Sequence, residues 1–252
     1  MQRKAAAILA VKEASVFLKQ EFQRGHTGTK KKDGTMVSAA DHGSEKRILS
    51  ILKKVFPDDA ILSEESRATS GTSGYRWILD PLDGTHNFLA GIPIFGILLA
   101  LQKEEETILS ICDFPMFGEC FVAEKGRGAF LNGKRIRVSS AKSLEGSVFL
   151  GDGNRNLQFR ETMKDIKAFQ AAGCRFRFLG EGPFGMTRVA LGTALTAVLR
   201  LGRLWDIAAP ALLVEEAGGK VTDMAGKPLG KKESALVATN GILHKKALFM
   251  IA

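Results

Sequence analysis

Apolar residues at Ile48, Ile51, Leu52 and Val55 recur at helical spacing, which predicts an amphipathic helix over about Ala40 to Val55, closed by Pro57. A longer helix is predicted from about Gln2 to Gln23, opening on the apolar run Ala5 to Val11 that Lys12-Glu13 interrupts. The polar stretch His26 to Asp33 between them reads as a loop. After Pro57 the pattern changes to short apolar runs. These predict strands at Ala60 to Leu62, Arg76 to Leu79, Phe95 to Leu101, Ile108 to Asp113 and Glu119 to Glu124, then a hairpin turning at Asn132-Gly133. From Ser147 strands and helices alternate. Helices are expected over about Leu157 to Ala172 and Asp206 to Ala217, with one more between strands at Arg175 to Leu179 and Ala194 to Leu201. Gly218-Gly219 would close the last helix with a left-handed cap. There are no repeats or low-complexity linkers, and the mixed order predicts an α/β protein of stacked layers.

The densest chemistry lies in Asp80-Pro81-Leu82-Asp83-Gly84-Thr85. The apolar run Trp77-Ile78-Leu79 reads as a buried strand with Asp80 at its end, where Pro81 is expected to stop the sheet pairing. Gly84 permits a close backbone approach, and Thr85 to Phe88 read as the first turn of a helix whose amides would face an anion. Two hard oxygen donors beside an anion cradle suggest a divalent metal and a phosphate together. On this segment alone, an Asp-Pro, Asp-Gly double turn on the surface stands as the alternative. Two further segments bring carboxylates to the ends of apolar elements: Ser63-Glu64-Glu65-Ser66 after Ala60 to Leu62, and Asp206 in Leu204-Trp205-Asp206-Ile207.

Composition narrows the class without naming it. A chain of 252 residues that is 45% hydrophobic can bury a large core, as one domain or as two fused subdomains. No stretch approaches the roughly 20 apolar residues that span a membrane, so a cytoplasmic protein with no membrane partner is expected. Cys112, Cys120 and Cys174 show no metal-ligand spacing and read as reduced, mostly buried thiols. The net charge of +9 is spread along the chain, so a solvated basic surface that also steers phosphate esters is expected, and nucleic acid is not expected as a partner.

Taken together, Lys30 to Asp41, Glu64-Glu65-Ser66, the segment 80 to 85, Trp205-Asp206 and Glu216-Ala217-Gly218-Gly219 resemble the inositol monophosphatase family in order and spacing over nearly the whole chain. These are magnesium-dependent, lithium-sensitive phosphatases related to fructose-1,6-bisphosphatase. The resemblance implies a layered α-β-α-β-α sandwich. Residues 1–140 would form an N-terminal subdomain with most metal ligands, and 141–252 a C-terminal subdomain supplying Asp206 and the substrate pocket. It also implies a homodimer and roughly two to three Mg2+ ions per site.

By motif, Glu64, Asp80 and the Leu82 carbonyl would hold a first metal, and Asp80, Asp83 and Asp206 a second. The Gly84 and Thr85 amides would bind phosphate, with Asp83 beside it. The Thr85 hydroxyl, hydrogen-bonded to Asp41, would orient the attacking water, and Glu64 would help take its proton. Lys30 aligns with a lysine near the family's active site. Glu65 is expected to support the ligands or face solvent, and His86 to face solvent in the first helical turn. His26, His42 and His244 are expected to be structural or exposed.

Substrate identity is the ambiguous part. Inositol-specific relatives place a hydroxyl-binding glutamate and a Gly-Thr-Ala segment where this chain has Leu199 and Gly180-Glu181-Gly182. Leu199 cannot accept a hydroxyl hydrogen bond, so Arg200 or Glu181 would have to line the pocket instead. An inositol monophosphatase-like phosphomonoesterase of a small metabolite is expected. Histidinol phosphate is the main alternative, ahead of fructose 1,6-bisphosphate and nucleotide 3'-phosphates. A basic RNA- or protein-binding regulator with vestigial activity is the non-enzymatic alternative.

Overall fold

The computed structural model describes residues 2–25, 27–31, 36–151, 159–180, 182–230 and 234–251. The chain opens with α1 (Gln2–Arg24), a small hairpin of β1 (Gly28–Lys30) and β2 (Met36–Ser38), and α2 (Ala39–Val55). Then come β3 (Ala60–Ser63), β4 (Tyr75–Asp83), the short α3 (Thr85–Leu89), β5 (Gly96–Lys103), β6 (Glu106–Phe114), β7 (Glu119–Glu124), β8 (Gly128–Leu131) and β9 (Lys134–Ile136). The second half holds β10 (Val148–Gly151), α4 (Phe159–Ala171), β11 (Arg175–Phe178), α5 (Gly182–Ala190), β12 (Thr196–Gly202), α6 (Leu204–Glu216), β13 (Lys220–Asp223), β14 (Ser234–Thr239) and α7 (His244–Ile251).

Strands β3 to β9 form a seven-stranded sheet in sequence order, antiparallel except for the parallel β3–β4 pair. A five-stranded sheet has the order β11-β10-β12-β14-β13, with β10 parallel to both its neighbours and β14 antiparallel to both of its own. Helices α1 and α2 cover one face of the larger sheet, and α4 and α7 pack together on the outer face of the smaller. Between the sheets lie α5 and α6, with α6 touching β4 to β8 on one side and β12 to β14 on the other. The expected α-β-α-β-α sandwich is therefore the fold. The centre is apolar because α6 is: every residue from Ile207 to Val214 is buried, as an element buried all round requires.

Several predicted boundaries move for identifiable reasons. Pro81 does not stop β4, which continues to Asp83 and pairs Asp83 with Gly96. The register shifts between Asp80 and Asp83, so the bulge takes up the ladder position that proline cannot serve. Asp206 does not open α6 but sits in its first turn, two residues after Leu204. Part of the predicted loop His26 to Asp33 is the strand β1, whose three residues are all exposed and carry no apolar signal. His26, Lys32 and Asp33 lie outside the described residues, as do Leu157 and Gln158 at the start of the predicted fourth helix. Past Gly219 no element was legible, and β13, β14 and α7 are found there. The apolar run Leu236-Val237-Ala238 in β14 is buried, as the runs of β4 and β5 are. The hairpin at Asn132-Gly133 forms as predicted, with positive φ of 49° and 79°. All three cysteines are free, Cys112 and Cys174 buried and Cys120 partly so. Among the described residues no helix is long and apolar enough to cross a membrane.

Candidate active site

The end of β4 is the organising feature. Burial of Trp77, Ile78 and Leu79 fixes the strand, and its bulged end turns Asp80 and Asp83 into a cleft while keeping them 2% and 6% exposed. The Leu82 N–H donates to Asp80 Oδ1 at 3.0 Å, and Ser44 of α2 donates to the Pro81 carbonyl at 2.7 Å, so the bulge is held from both sides. Gly84 follows at φ +90°, a left-handed conformation that a residue with a Cβ resists, and α3 starts directly after it. Glu64 arrives from β3, its N–H donating to the Leu79 carbonyl at 3.1 Å. Asp206 arrives from the first turn of α6, where its Oδ2 accepts the Arg203 N–H at 2.7 Å. The cleft, about 150 Å³, is lined by these carboxylates, Leu82 and Thr85, and on the far side by Gly180, Gly182, Pro183 and Leu199.

The electrostatics follow from this crowding. Burial pushes the Asp80 carboxyl well above the usual range, and repulsion from Glu64, Asp83 and Asp206 pushes it further. Among the described residues no three His, Cys, Asp or Glu side chains are already drawn together around an ion position. Four carboxylates lining one cleft are nonetheless a hard-oxygen set that suits magnesium, and mutual repulsion of the acids is what a cation would relieve.

Thr85 donates its hydroxyl to Asp41 Oδ1 at 2.8 Å, with the Leu82 carbonyl 3.1 Å away. Asp41 is itself 1% exposed and accepts the Ser38 N–H at 2.7 Å and the Ser38 hydroxyl at 2.6 Å on Oδ2. The same carboxylate thus caps α2, in a capping box with Ser38, and holds Thr85.

Other expected residues fall elsewhere. The lysine that meets the acidic group is Lys31, not Lys30: its ammonium lies 2.9 Å from Glu64 Oε1 and also contacts Glu65, whereas Lys30 is exposed on β1. Burial and these two carboxylates oppose each other at Lys31, and the carboxylates prevail, raising its pKa. Glu65 does not face solvent; its side chain is 4% exposed, and burial raises its pKa despite Lys31.

Arg200 does not line the cleft. Alternation along β12 turns Leu199 inward and sends Arg200 to the opposite face, where its Nε donates to Asp165 Oδ2 at 3.0 Å. Glu181 lies outside the described residues. His86 is exposed at the cleft mouth and His42 is exposed on α2. His244 is structural: its ring nitrogens meet Thr222 and Thr239 hydroxyls at 2.8 and 3.0 Å, and burial, helped by Lys220, pushes its pKa down to about 4.

Two supporting residues escaped the sequence reading. Ser44 was missed although it lies three positions after Asp41, on the same face of α2, which was the available signal. Asn87 is buried and donates to the Ile94 and Leu179 carbonyls at 2.9 and 3.0 Å, tying α3 to the loop that carries Gly180. Nothing local announces that contact, because Leu179 is remote in sequence.

Against known proteins, the profile described as "Inositol monophosphatase family" matches residues 2–250. The fructose-1,6-bisphosphatase/inositol-1-monophosphatase of Thermotoga maritima is 36% identical over 216 residues, 86% of this chain and 82% of that protein. The histidinol-phosphatase of Chlorobaculum parvum is 33% identical over 221 residues, 88% and 85% of the two chains. The crystal structure of the extragenic suppressor protein suhB from Bartonella henselae superposes with a TM-score of 0.94 at 31% identity, covering 100% of this chain and 98% of that one. Such a fold, with these relatives, is that of a phosphomonoesterase acting on small phosphorylated substrates. The chain belongs to the inositol monophosphatase family. With a suhB protein among the relatives, the expectation that a nucleic-acid partner is unlikely is not borne out.

Proposed function

We propose that this cleft hydrolyses a phosphate monoester with magnesium bound by Glu64, Asp80 and the Leu82 carbonyl at one position and by Asp80, Asp83 and Asp206 at another. The observation that carries the proposal is the convergence of those groups on one cleft beside the Thr85–Asp41 pair. Bound metal would neutralise the phosphate oxygens and lower the pKa of the attacking water. The chain's own residues would do the positioning. Asp41 takes the Thr85 proton in a hydrogen bond, which leaves the Thr85 oxygen to accept one from the attacking water. Glu64, at the same wall, is placed to draw off the proton that the water loses, once it exchanges Lys31 for the site. The amides of Gly84 and Thr85, presented by the left-handed turn, would hold the phosphate against the acidic wall.

The family resemblance adds roughly two to three magnesium ions in all, as multi-metal sites use, lithium sensitivity and a homodimer, and the composition adds a cytoplasmic setting. A division near residue 140 suits the same reading, since the larger sheet ends at Ile136 and the smaller begins at Val148. Histidinol phosphate stands as a second reading because Leu199 presents no acceptor for inositol hydroxyls. The test is phosphate release, with magnesium and with a chelator, from inositol phosphates, histidinol phosphate, fructose 1,6-bisphosphate and nucleotide 3'-phosphates, compared by kcat/KM. Release that magnesium does not stimulate for any of them would refute the proposal.

A further inference from the structure

Resting on the phosphatase reading of the cleft, we infer that Ser110, on β6 and outside the cleft, is a positioning residue for Asp206, and that Pro210 makes it necessary. Of the four carboxylates assigned to metal, Asp206 alone comes from the second half of the chain. Its place relative to Asp80 and Asp83 therefore depends on how α6 lies against the larger sheet.

That contact is largely apolar. Ile78, Leu98, Ala100 and Cys112 of the sheet share one core with Ile207, Ala209 and Leu213 of α6. Apolar burial holds the layers together but is non-directional, and does little to fix the rotation or axial position of a helix. Polar contacts supply the direction. At the far end of α6, Glu216 accepts the Gly126 and Gly128 N–H groups at 2.7 Å each. That anchor is about 15 Å along the helix from Asp206. Much nearer, about one turn beyond Asp206, Ser110 Oγ donates to the Ala209 carbonyl at 2.6 Å. Ser110 and Ala209 are 0% and 1% exposed, so water does not compete for this bond.

The Ala209 carbonyl belongs to the peptide that joins Pro210. Proline has no N–H, so the helical bond that residue 210 would give to the Asp206 carbonyl cannot form. The turn that carries Asp206 is thereby held less firmly by its own helix, and Ser110 fastens the chain at the interruption. The same device serves β4, where Ser44 Oγ takes the Pro81 carbonyl beside Asp80. In both places a proline breaks the backbone pattern near an assigned carboxylate, and a fully buried serine from another element takes the adjoining carbonyl.

Without the Ser110 bond, the first turn of α6 must be drawn into place as magnesium binds, so affinity falls by what the bond contributed. The test titrates magnesium alone into the metal-free protein, followed by calorimetry, with steady-state kinetics beside it. Ser110→Ala should raise the magnesium Kd and the concentration for half-maximal rate about three- to tenfold, with kcat at saturating magnesium within about twofold of wild type. In the metal-free state it should also increase acrylamide quenching of the partly exposed Trp205, the neighbour of Asp206, since Trp77 is fully buried. Pro210→Ala gives residue 210 its N–H, and in that background Ser110→Ala should change Kd by no more than about twofold. Thr222→Val removes a buried hydroxyl from His244 at the edge of the smaller sheet; it is the control for lost stability alone and should leave Kd unchanged.

Ser110→Ala should fold, because the Ala209 carbonyl keeps the helical N–H four residues on. If it does not, Ser110→Cys, a weaker donor, should raise Kd in the same direction. An unchanged Kd in the Ser110 variant, an equal rise with and without Pro210, or an equal rise in Thr222→Val would overturn the inference. A wild-type protein that takes up no magnesium would refute the metal reading of the cleft itself, and this inference falls with it.

Discussion

One carboxylate with two duties gives a prediction that separates stability from catalysis. Asp41 Oδ2 accepts both the N–H and the hydroxyl of Ser38 at the start of α2, and Oδ1 accepts Thr85. Ser38→Ala removes the cap side chain and should cost about 1 kcal/mol of stability while leaving kcat within about twofold. Thr85→Ala removes the group assigned to orient the nucleophile. A hydrogen bond to a charged group contributes about 1.5–3 kcal/mol, so its loss from the transition state should lower kcat about 10- to 100-fold, with KM little changed. Asp41→Asn should do both, lowering stability by about 1–2 kcal/mol and kcat as much as Thr85→Ala does. The measurements are urea unfolding in chelator and steady-state kinetics at saturating magnesium. Because Thr85 and Asp41 act as one unit, the double variant should be no more than about threefold slower than the worse single variant. Multiplicative losses in kcat, or an Asp41→Asn protein with wild-type stability, would refute the reasoning.

Asp80→Asn should abolish magnesium-dependent turnover yet stabilise the metal-free protein by about 1–2 kcal/mol near pH 7, since it relieves a buried charge among like charges. The raised pKa sets the sign: metal-free wild type should gain stability as pH falls through the folded-state value of Asp80, and the variant should lack that gain, read by denaturant midpoints against pH. Lys31→Met should lower the magnesium concentration needed for half-maximal rate by freeing Glu64 from its internal cation, whereas Lys30→Met should leave both that concentration and stability, within about 0.5 kcal/mol, unchanged. Asp59, buried at the edge of the larger sheet, accepts Arg3 at 2.9 and 3.0 Å, Ser73 at 2.6 Å and Trp77 at 3.0 Å. Burial pushes its carboxyl up, but these donors outweigh burial and hold it below the usual range. Asp59→Asn should therefore cost about 2–3 kcal/mol at pH 7, and the difference from wild type should shrink as pH falls through the folded-state pKa, as thermal unfolding would show.

The residues 80 to 85, Glu64 and Asp206 were legible in sequence because each stands next to the end of an apolar element, where a chain leaves its core, whereas Asp41 was reached only through the family's motif. Helices α1 and α2 were legible because one face buried and one wet writes a period into the residues, whereas β4, β5 and β6, buried on both faces, were legible as continuous apolar runs. What the sequence could not decide was everything set by contacts between remote segments. Whether Lys30 or Lys31 reaches Glu64 depends on where the β1–β2 hairpin places the residue after β1, and adjacent lysines are identical as letters. Whether Leu199 or Arg200 faces the cleft depends on the phase of a two-residue alternation in β12, which flips every side chain if it slips by one. Pro81 looked like a strand end because its missing N–H breaks a regular ladder, and only the pairing of Asp83 with Gly96 reveals the bulge that accommodates it. Local composition determined which chemistry the chain carries; the packing of two sheets around α6 decided which of those groups share a cleft, because that distance is closed by burial across the core and not by proximity along the chain.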